Sequence, residues 1–149
     1  MCWDLPEPFI SNIEVKVDHL DHYNHVNNAD YLKFIEAVSW AHSEHLGLSF
    51  ADYQALDTAL VVVRHELDYI APAYLGDQLQ LATWIVGYDQ RSRVVRRFQL
   101  RRLAEGKTLL RAYTRFACVS LSRHRPKRLP DAFNRVYLPA VVKEKEAIS

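Results

Sequence analysis

The segment Asp18–Tyr31, DHLDHYNHVNNADY, places three aspartates, three histidines and three asparagines directly ahead of an apolar run. Side chains of these types support several kinds of chemistry. A carboxylate can serve as general base or nucleophile, an imidazole can move a proton or ligate a metal, and an amide can cap a helix. His19, His22 and His25 recur every three residues beside Asp18 and Asp21. That spacing converges on one metal ion only if the stretch is helical, whereas its Asx-rich composition reads as a loop, so a metal-free site is expected.

The apolar run that follows gives the loop a second meaning. A helix starting near Asn28 leaves its first backbone N–H groups unpaired and carries partial positive charge at that end, which makes it a natural oxyanion site. Asn27 and Asn28 are both good N-cap residues. Asp21 can pin the loop or cap the helix, and His25 can orient Asp21, contact a ligand or be satisfied by backbone.

The elements that must position this loop are legible from hydrophobic period. Ile13, Val15 and Val17 alternate within Phe9–Val17, a short strand; Tyr31, Leu32, Phe34, Ile35, Val38 and Trp40 have helical spacing, apolar over most of the circumference, with Gly47 as a stop. A helix that apolar should be surrounded by protein. Thr58–Ile70 reads as a strand with Ala59, Val61, Val63, Leu67 and Tyr69 on one face, ended by Pro72 and Gly76. Gln78–Val86, Arg93–Leu103 and Leu109–Leu121 follow as three more strands, and the short gaps between them suit antiparallel hairpins. Pro130-Asp131-Ala132-Phe133 reads as a proline-led helical turn, and residues 140–149 as a charged tail. One strand, one helix and then four strands with short connections exclude a parallel β-α-β array and predict an α+β architecture, a five-stranded antiparallel sheet around one helix.

Composition sets the outer bounds. A chain of 149 residues, 49% hydrophobic, fits one domain, residues 1–149, with a real core. The start, MCWDLPEPFI, lacks the basic and continuously apolar parts of a secretory signal, no apolar run reaches membrane-spanning length, and Cys2 and Cys118 form no disulfide or metal framework. A cytoplasmic protein without a membrane partner is the expectation. The net charge of +1 hides an asymmetry: Arg91–Arg128 holds eleven arginines and two lysines against one acid, Glu105. Arg93, Arg97 and Arg101 fall opposite Val94, Phe98 and Leu100, as a solvated or subunit-facing surface would. No base-reading motif or aromatic stacking platform accompanies the charge, which argues against nucleic acid.

The segment DHYNHVNNADYLKF, together with LDYIAPAYLGDQLQL and the distal RPKRLP, resembles the hot-dog-fold thioesterases, specifically the branch similar to 4-hydroxybenzoyl-CoA thioesterase. The resemblance spans nearly the whole chain. Its most specific part is Asp21 ten residues ahead of Tyr31, with His25-Val26-Asn27-Asn28 between; one departure is Asn24, where many relatives carry glycine, although asparagine tolerates positive φ. The resemblance implies a hot-dog fold and hydrolysis of acyl-CoA thioesters without metal or organic cofactor. It implies Asp21 as base or nucleophile, the Asn28 backbone N–H as oxyanion donor, His25 in support, and Tyr31 and Asn27 at the substrate. Glu36 lies a helical turn further in and reads as a structural or subunit-facing residue.

Arg91, Arg93 and the SRHRPKR run stand at strand ends, where they could meet the phosphates of coenzyme A. Open sheet edges and the family habit of pairing protomers imply a homodimer or a dimer-of-dimers tetramer. A non-catalytic acyl-CoA binding protein and a hot-dog dehydratase or hydratase are the competing readings. Because the histidine-rich loop is read as polar scaffolding, chelators should leave thioester hydrolysis intact; loss with a chelator and recovery with added zinc would reverse that reading.

Overall fold

Residues 3–144 are described by the computed structural model. The strands are β1 (Phe9–Glu14), β2 (Thr58–Tyr69), β3 (Gln78–Tyr88), β4 (Arg93–Arg102) and β5 (Lys107–Ser120), and the helices α1 (Asn28–Leu46), α2 (Phe50–Ala55) and α3 (Asp131–Tyr137). All strand pairs are antiparallel, in the order β1-β3-β4-β5-β2. This order follows from the connections. Tight turns force β3, β4 and β5 to pair in succession, while the long excursion through α1 and α2 lets β1 and β2 close opposite edges. The α+β arrangement read from the sequence, five antiparallel strands around a principal helix, is therefore present.

α1 begins where Asn27 accepts the Ala29 N–H through its side chain and ends at Gly47, whose φ of 113° lets the chain reverse while its N–H bonds Ser43 and Glu44. Tyr31, Ile35, Val38 and His42 form its buried stripe. The first three pack on the inner sheet face against residues that include Leu81, Phe98, Leu100 and Ala112. Each large apolar side chain buried this way contributes about 1.5–3 kcal/mol. The rest of the helix is not enclosed by its own chain: Lys33, Glu36, Ala37 and Trp40 are exposed. Trp40 is instead edged by Phe50 and Tyr53 of α2, a helix that the apolar spacing did not suggest but that the Ser49/Asp52 capping box announces.

Two strands depart from simple alternation. β1 stops at Glu14; Val15 is buried, but the chain then enters a 3-10 turn at Val17–His19 and Val17 becomes exposed. In β2 a bulge at Val63 separates the Val62–Phe116 pair from the Arg64–Arg115 pair. One extra residue reverses the parity of everything beyond it. Leu60 and Val62 thus line the same cavity as His65, while Val61 and Val63 fall on the opposite side of this exposed edge strand. The expected face containing Val61 and Val63 is corrected accordingly.

The outer face is covered by the chain's own ends rather than solvated. Asp4 accepts from Arg97 Nη2 at 3.0 Å and from Arg111 Nε at 2.6 Å, so the Arg111 guanidinium holds its carboxyl below the usual range. Glu144 accepts from Arg97 Nη1 and from the Tyr113 hydroxyl, and the Arg101 guanidinium lies over the Trp3 ring at 4.6 Å. Cys118 is buried and free, its thiol pushed up to about 11 by burial, whereas Cys2 and residues 145–149 of the tail lie outside the described residues.

One arginine faces inward. Arg96 sits between Val94 and Phe98 on the helix-facing side of β4 and is only 4% exposed. Its Nη1 donates to His42 Nδ1 at 2.8 Å, which requires a neutral imidazole. Burial, reinforced by the Arg96 charge, pushes His42 down to about 3. An unfolded chain takes up this proton near pH 6.5, so between pH 6.5 and about 3 the unfolded state binds more protons and stability falls with falling pH; above pH 6.5 this residue adds no pH dependence. Urea denaturation at pH 7 and pH 5 should show a loss attributable to His42 of up to about 2 kcal/mol. His42→Gln, which keeps an acceptor for Arg96, should remove that part of the acid sensitivity; an unchanged difference between the two pH values would refute the assignment.

Candidate active site

Asp21 is held by its own loop. Its Oδ1 accepts the N–H groups of Tyr23 at 2.8 Å and His25 at 3.1 Å, and its backbone N–H donates to the His25 carbonyl at 2.8 Å. The reversal needed to bring those donors round one oxygen occurs at Asn24, whose φ is 62°. This is the left-handed region that glycine would occupy freely and asparagine tolerates. Among the described residues, Asp21 Oδ2 has no hydrogen-bond partner.

The Pro72–Asp77 turn clamps this loop to the sheet. Val26 donates to the Ala73 carbonyl at 3.0 Å, and His25 and Tyr74 form a β-bridge with their rings edge to face at 5.2 Å. Asp77 in turn accepts from the Tyr74 N–H and from Arg102 Nε, both at 2.9 Å, while Arg102 Nη2 reaches the Pro72 carbonyl. At Gly76, φ of 82° points the N–H at the Val15 carbonyl, tying the turn to the end of β1. A backbone ladder rather than a flexible tether thus fixes Asp21.

At the helix start the polar groups divide their tasks. Asn27 is the cap, accepting Ala29 N–H at 2.9 Å, and donates its own N–H to the His19 carbonyl. Asp30 N–H returns to the Asn27 carbonyl. Among the described residues, the Asn28 backbone N–H has no acceptor. Asn28 lines a pocket of about 260 Å³ together with Asp21, His25, Tyr31, Tyr69 and Pro72, among others. Tyr31 is buried against Tyr69 with ring centroids 5.5 Å apart, and the Tyr69 hydroxyl donates to the Asn28 carbonyl at 3.2 Å. Burial raises the Tyr31 hydroxyl above its ordinary range, so the ring meets the pocket as a neutral phenol.

The structure thus gathers Asp21, His25, Asn28 and Tyr31 in one pocket, with Asn27 beside them serving the helix. His25 holds Asp21 through its backbone N–H. The three histidines go separate ways: His19 Nδ1 accepts from the Lys16 N–H and its ring abuts Phe34, His22 is exposed, and His25 meets Tyr74. Glu36 lines a different, larger cavity further along α1.

Arg91 lies in the β3–β4 turn and Arg93 opens β4, and Asp89 Oδ1 accepts the N–H groups of Arg91, Ser92 and Arg93. The site is beyond the other end of β4, a strand about 30 Å long. Within one chain these arginines do not reach the pocket. Of the SRHRPKR run, Lys127 is committed internally, its Nζ donating to the Leu56 and Asp57 carbonyls and to Thr58. Sequence reading missed Tyr69 and Arg102; both carry only the weak signal of a polar-tipped residue at a strand end.

A comparison with known families matches the thioesterase-like superfamily over residues 15–136. This chain belongs to that superfamily. FadM of Escherichia coli, a long-chain acyl-CoA thioesterase, is 32% identical over 74% of this chain and 83% of its own length. Among solved structures, YbaW of Escherichia coli is 30% identical, with a TM-score of 0.73 over 90% of this chain and 98% of that one. A Staphylococcus aureus protein solved in complex with CoA shares the fold at TM-score 0.84 and 19% identity, covering 100% of this chain and 92% of that one. The protein is thus a thioesterase on the hot-dog fold. Among the described residues, no helix is long and apolar enough to cross a membrane.

The capping role of Asn27 in this thioesterase has a measurable consequence. Asn27→Ala should cost about 1 kcal/mol of folding stability. Asn27→Asp or Asn27→Ser should recover most of it in chemical denaturation; equal stability of the alanine variant would show that the cap is dispensable.

Proposed function

We propose that this thioesterase hydrolyses acyl-CoA thioesters and that Asp21 and the first turn of α1 carry the chemistry. One observation supports the reading above others: Asp21 and Asn28 line the same pocket, and among the described residues Asp21 Oδ2 and the Asn28 backbone N–H have no hydrogen-bond partner. Thioester hydrolysis needs that pair. The thioester carbonyl oxygen gains negative charge as its carbon becomes tetrahedral, and a donor already aimed there at the positive end of a helix stabilises the transition state more than the ground state. Asp21 Oδ2 either takes a proton from the attacking water or attacks the carbon itself to form a mixed anhydride that water then opens. Coenzyme A leaves as a thiolate, a good leaving group, so a lone carboxylate suffices without a serine or cysteine triad. The acyl-CoA substrates named for FadM, and the CoA held by the Staphylococcus aureus relative, support the same substrate class.

The functional unit of this reading is a cytoplasmic homodimer, or a tetramer of such dimers, joined along β2. That strand is an open edge whose outward Val61 and Val63 leave apolar surface uncovered. Antiparallel pairing of two β2 edges about a two-fold axis brings the Arg91 and Arg93 end of one chain toward the Asp21 end of the other. The arginines would then meet the phosphates of coenzyme A across the subunit boundary, which reconciles them with a site they cannot reach within their own chain.

Three experiments test these points. Asp21→Asn should lower kcat by at least ~100-fold with a modest change in KM, because shape is kept while the base or nucleophile is lost. Wild-type turnover in the folded variant would remove Asp21 from the mechanism. Sedimentation should find a dimer or larger species. Raising salt, or replacing Arg91 or Arg93 with alanine, should raise KM for acyl-CoA but leave a short thioester lacking the nucleotide unaffected. An active monomer, or identical responses of the two substrates, would contradict the shared site.

A further inference from the structure

Arg96 is a buried cation without a carboxylate. Its Nη1 donates to His42 Nδ1 at 2.8 Å and approaches Thr83 Oγ1 at 3.5 Å, both neutral acceptors, and among the described residues no acid lies within ion-pair distance of it. The neighbouring hydroxyls form a neutral cluster beside it: Ser43 Oγ bonds Tyr137 at 2.5 Å, Tyr53 bonds Tyr137, and the Tyr137 hydroxyl also interacts with the guanidinium. A guanidinium has five N–H donors, and burying its charge among neutral partners alone is costly unless something supplies an anionic acceptor.

Arg96 lines the cavity that lies along α1, a space of about 450 Å³ whose walls are mainly apolar, among them Leu32, Ile35, Trp40, Leu60 and Phe116. Ser43, Tyr53 and Thr114 stand with Arg96 as its polar lining, and His65, which hydrogen bonds Thr114 at 2.7 Å, and Glu36 lie along its wall. Glu36 is exposed, so water screens its charge. The cavity shares α1 and β2 with the active-site pocket: Asn28 and Tyr69 belong to the pocket, Leu32 and His65 to the cavity.

We infer that this cavity takes the acyl group and that Arg96 reads an oxygen anion, a carboxylate, at its far end, so that the preferred substrates are ω-carboxyacyl thioesters. The inference rests on the acyl-CoA reading above and adds the chemistry of the acyl group. Register sets the length. Arg96 pairs with Thr114 and Thr114 with His65, whereas Tyr69 at the pocket pairs with Leu110 and Leu110 with Leu100. Arg96 therefore lies four residues along its strand from the level of the pocket, about 13 Å. At about 1.2 Å advance per bond of an extended chain, that separation is spanned by about ten bonds. The apolar walls bury the methylenes, and the carboxylate supplies a charge-assisted, two-oxygen partner to the guanidinium.

The test compares decanoyl-CoA with the mono-CoA thioester of decanedioic acid. The wild-type protein should favour the carboxylate-bearing substrate in kcat/KM by about tenfold to a hundredfold, the range of a buried charge-assisted hydrogen bond. Arg96→Met should collapse that ratio toward one and Arg96→Lys should keep part of it; a merely structural arginine would shift both substrates together and leave the ratio intact. Thermal shift with free decanedioate against decanoate gives a readout independent of turnover, and decanedioate should stabilise the wild type more than the methionine variant. Hydrolysis of both substrates with equal kcat/KM, or a ratio unmoved by Arg96→Met, would overturn this inference while leaving the thioesterase reading standing. Absence of hydrolysis of either acyl-CoA, with no stabilisation by decanedioate, would overturn both.

Discussion

The packing of α1 against the inner face of the sheet is the constraint on which the rest of the molecule depends. Tyr31, Ile35 and Val38 seat the helix on Leu81, Phe98, Leu100 and Ala112, and this apolar contact fixes where its N-terminus points. A helix end can polarise a ligand only if its direction is held against thermal motion and its first N–H groups are not all consumed by caps. Here Asn27 takes one donor through its side chain and another through its carbonyl, and among the described residues the N–H of Asn28, which lines the pocket, has no acceptor. The residues that stabilise the start of the helix are thus the ones that shape the candidate site.

Around that helix end, backbone does the positioning that side chains perform in many active sites. Asp21 is gripped by two main-chain N–H groups, the loop is bridged to Ala73 and Tyr74, and Asp77 with Arg102 locks the turn that provides the bridge. Such a ladder has little rotamer freedom to lose, so the carboxylate is oriented without a hydrogen bond from the His25 ring. It also explains why a positive φ is accepted at Asn24: the strain is small for asparagine, and the surrounding bonds over-determine the conformation.

The arginines that dominate the second half of the chain divide by face. On the outer face Arg97 and Arg111 are neutralised by Asp4, with Glu144 adding a second acid for Arg97, so the chain's own ends supply much of the compensating charge. At the far turn the side chains of Arg91 and Arg93 have no ion-pair partner among the described residues, while Lys127 holds carbonyls of the segment leading into β2. Arg96 turns inward, where the compensation found among the described residues is a neutral imidazole and a cluster of hydroxyls. A single net-charge figure conceals three environments with different dielectric surroundings and different consequences.

The sequence alone determined the order of the strands and the principal helix, the antiparallel sheet, the start of α1 near Asn28, its stop at Gly47 and the loop containing Asp21, because each is written in local signals: hydrophobic period, cap residues and turn residues. Within that loop it also marked Asp21, His25 and Asn28 as neighbours of one helix end. Only the tertiary structure decided what lies beyond local reach. The bulge at Val63 reversed the parity of β2, since a one-residue insertion is set by pairing with β5 and leaves no mark in a run of valines. The partners of the outer arginines are residues of both chain ends, far away in sequence. Arg96 could have been placed beside Val94 and Phe98 by period two, but that its charge is buried without an acid depends on every element packed around it. Burial and pairing are properties of long-range contacts, and no local pattern encodes them.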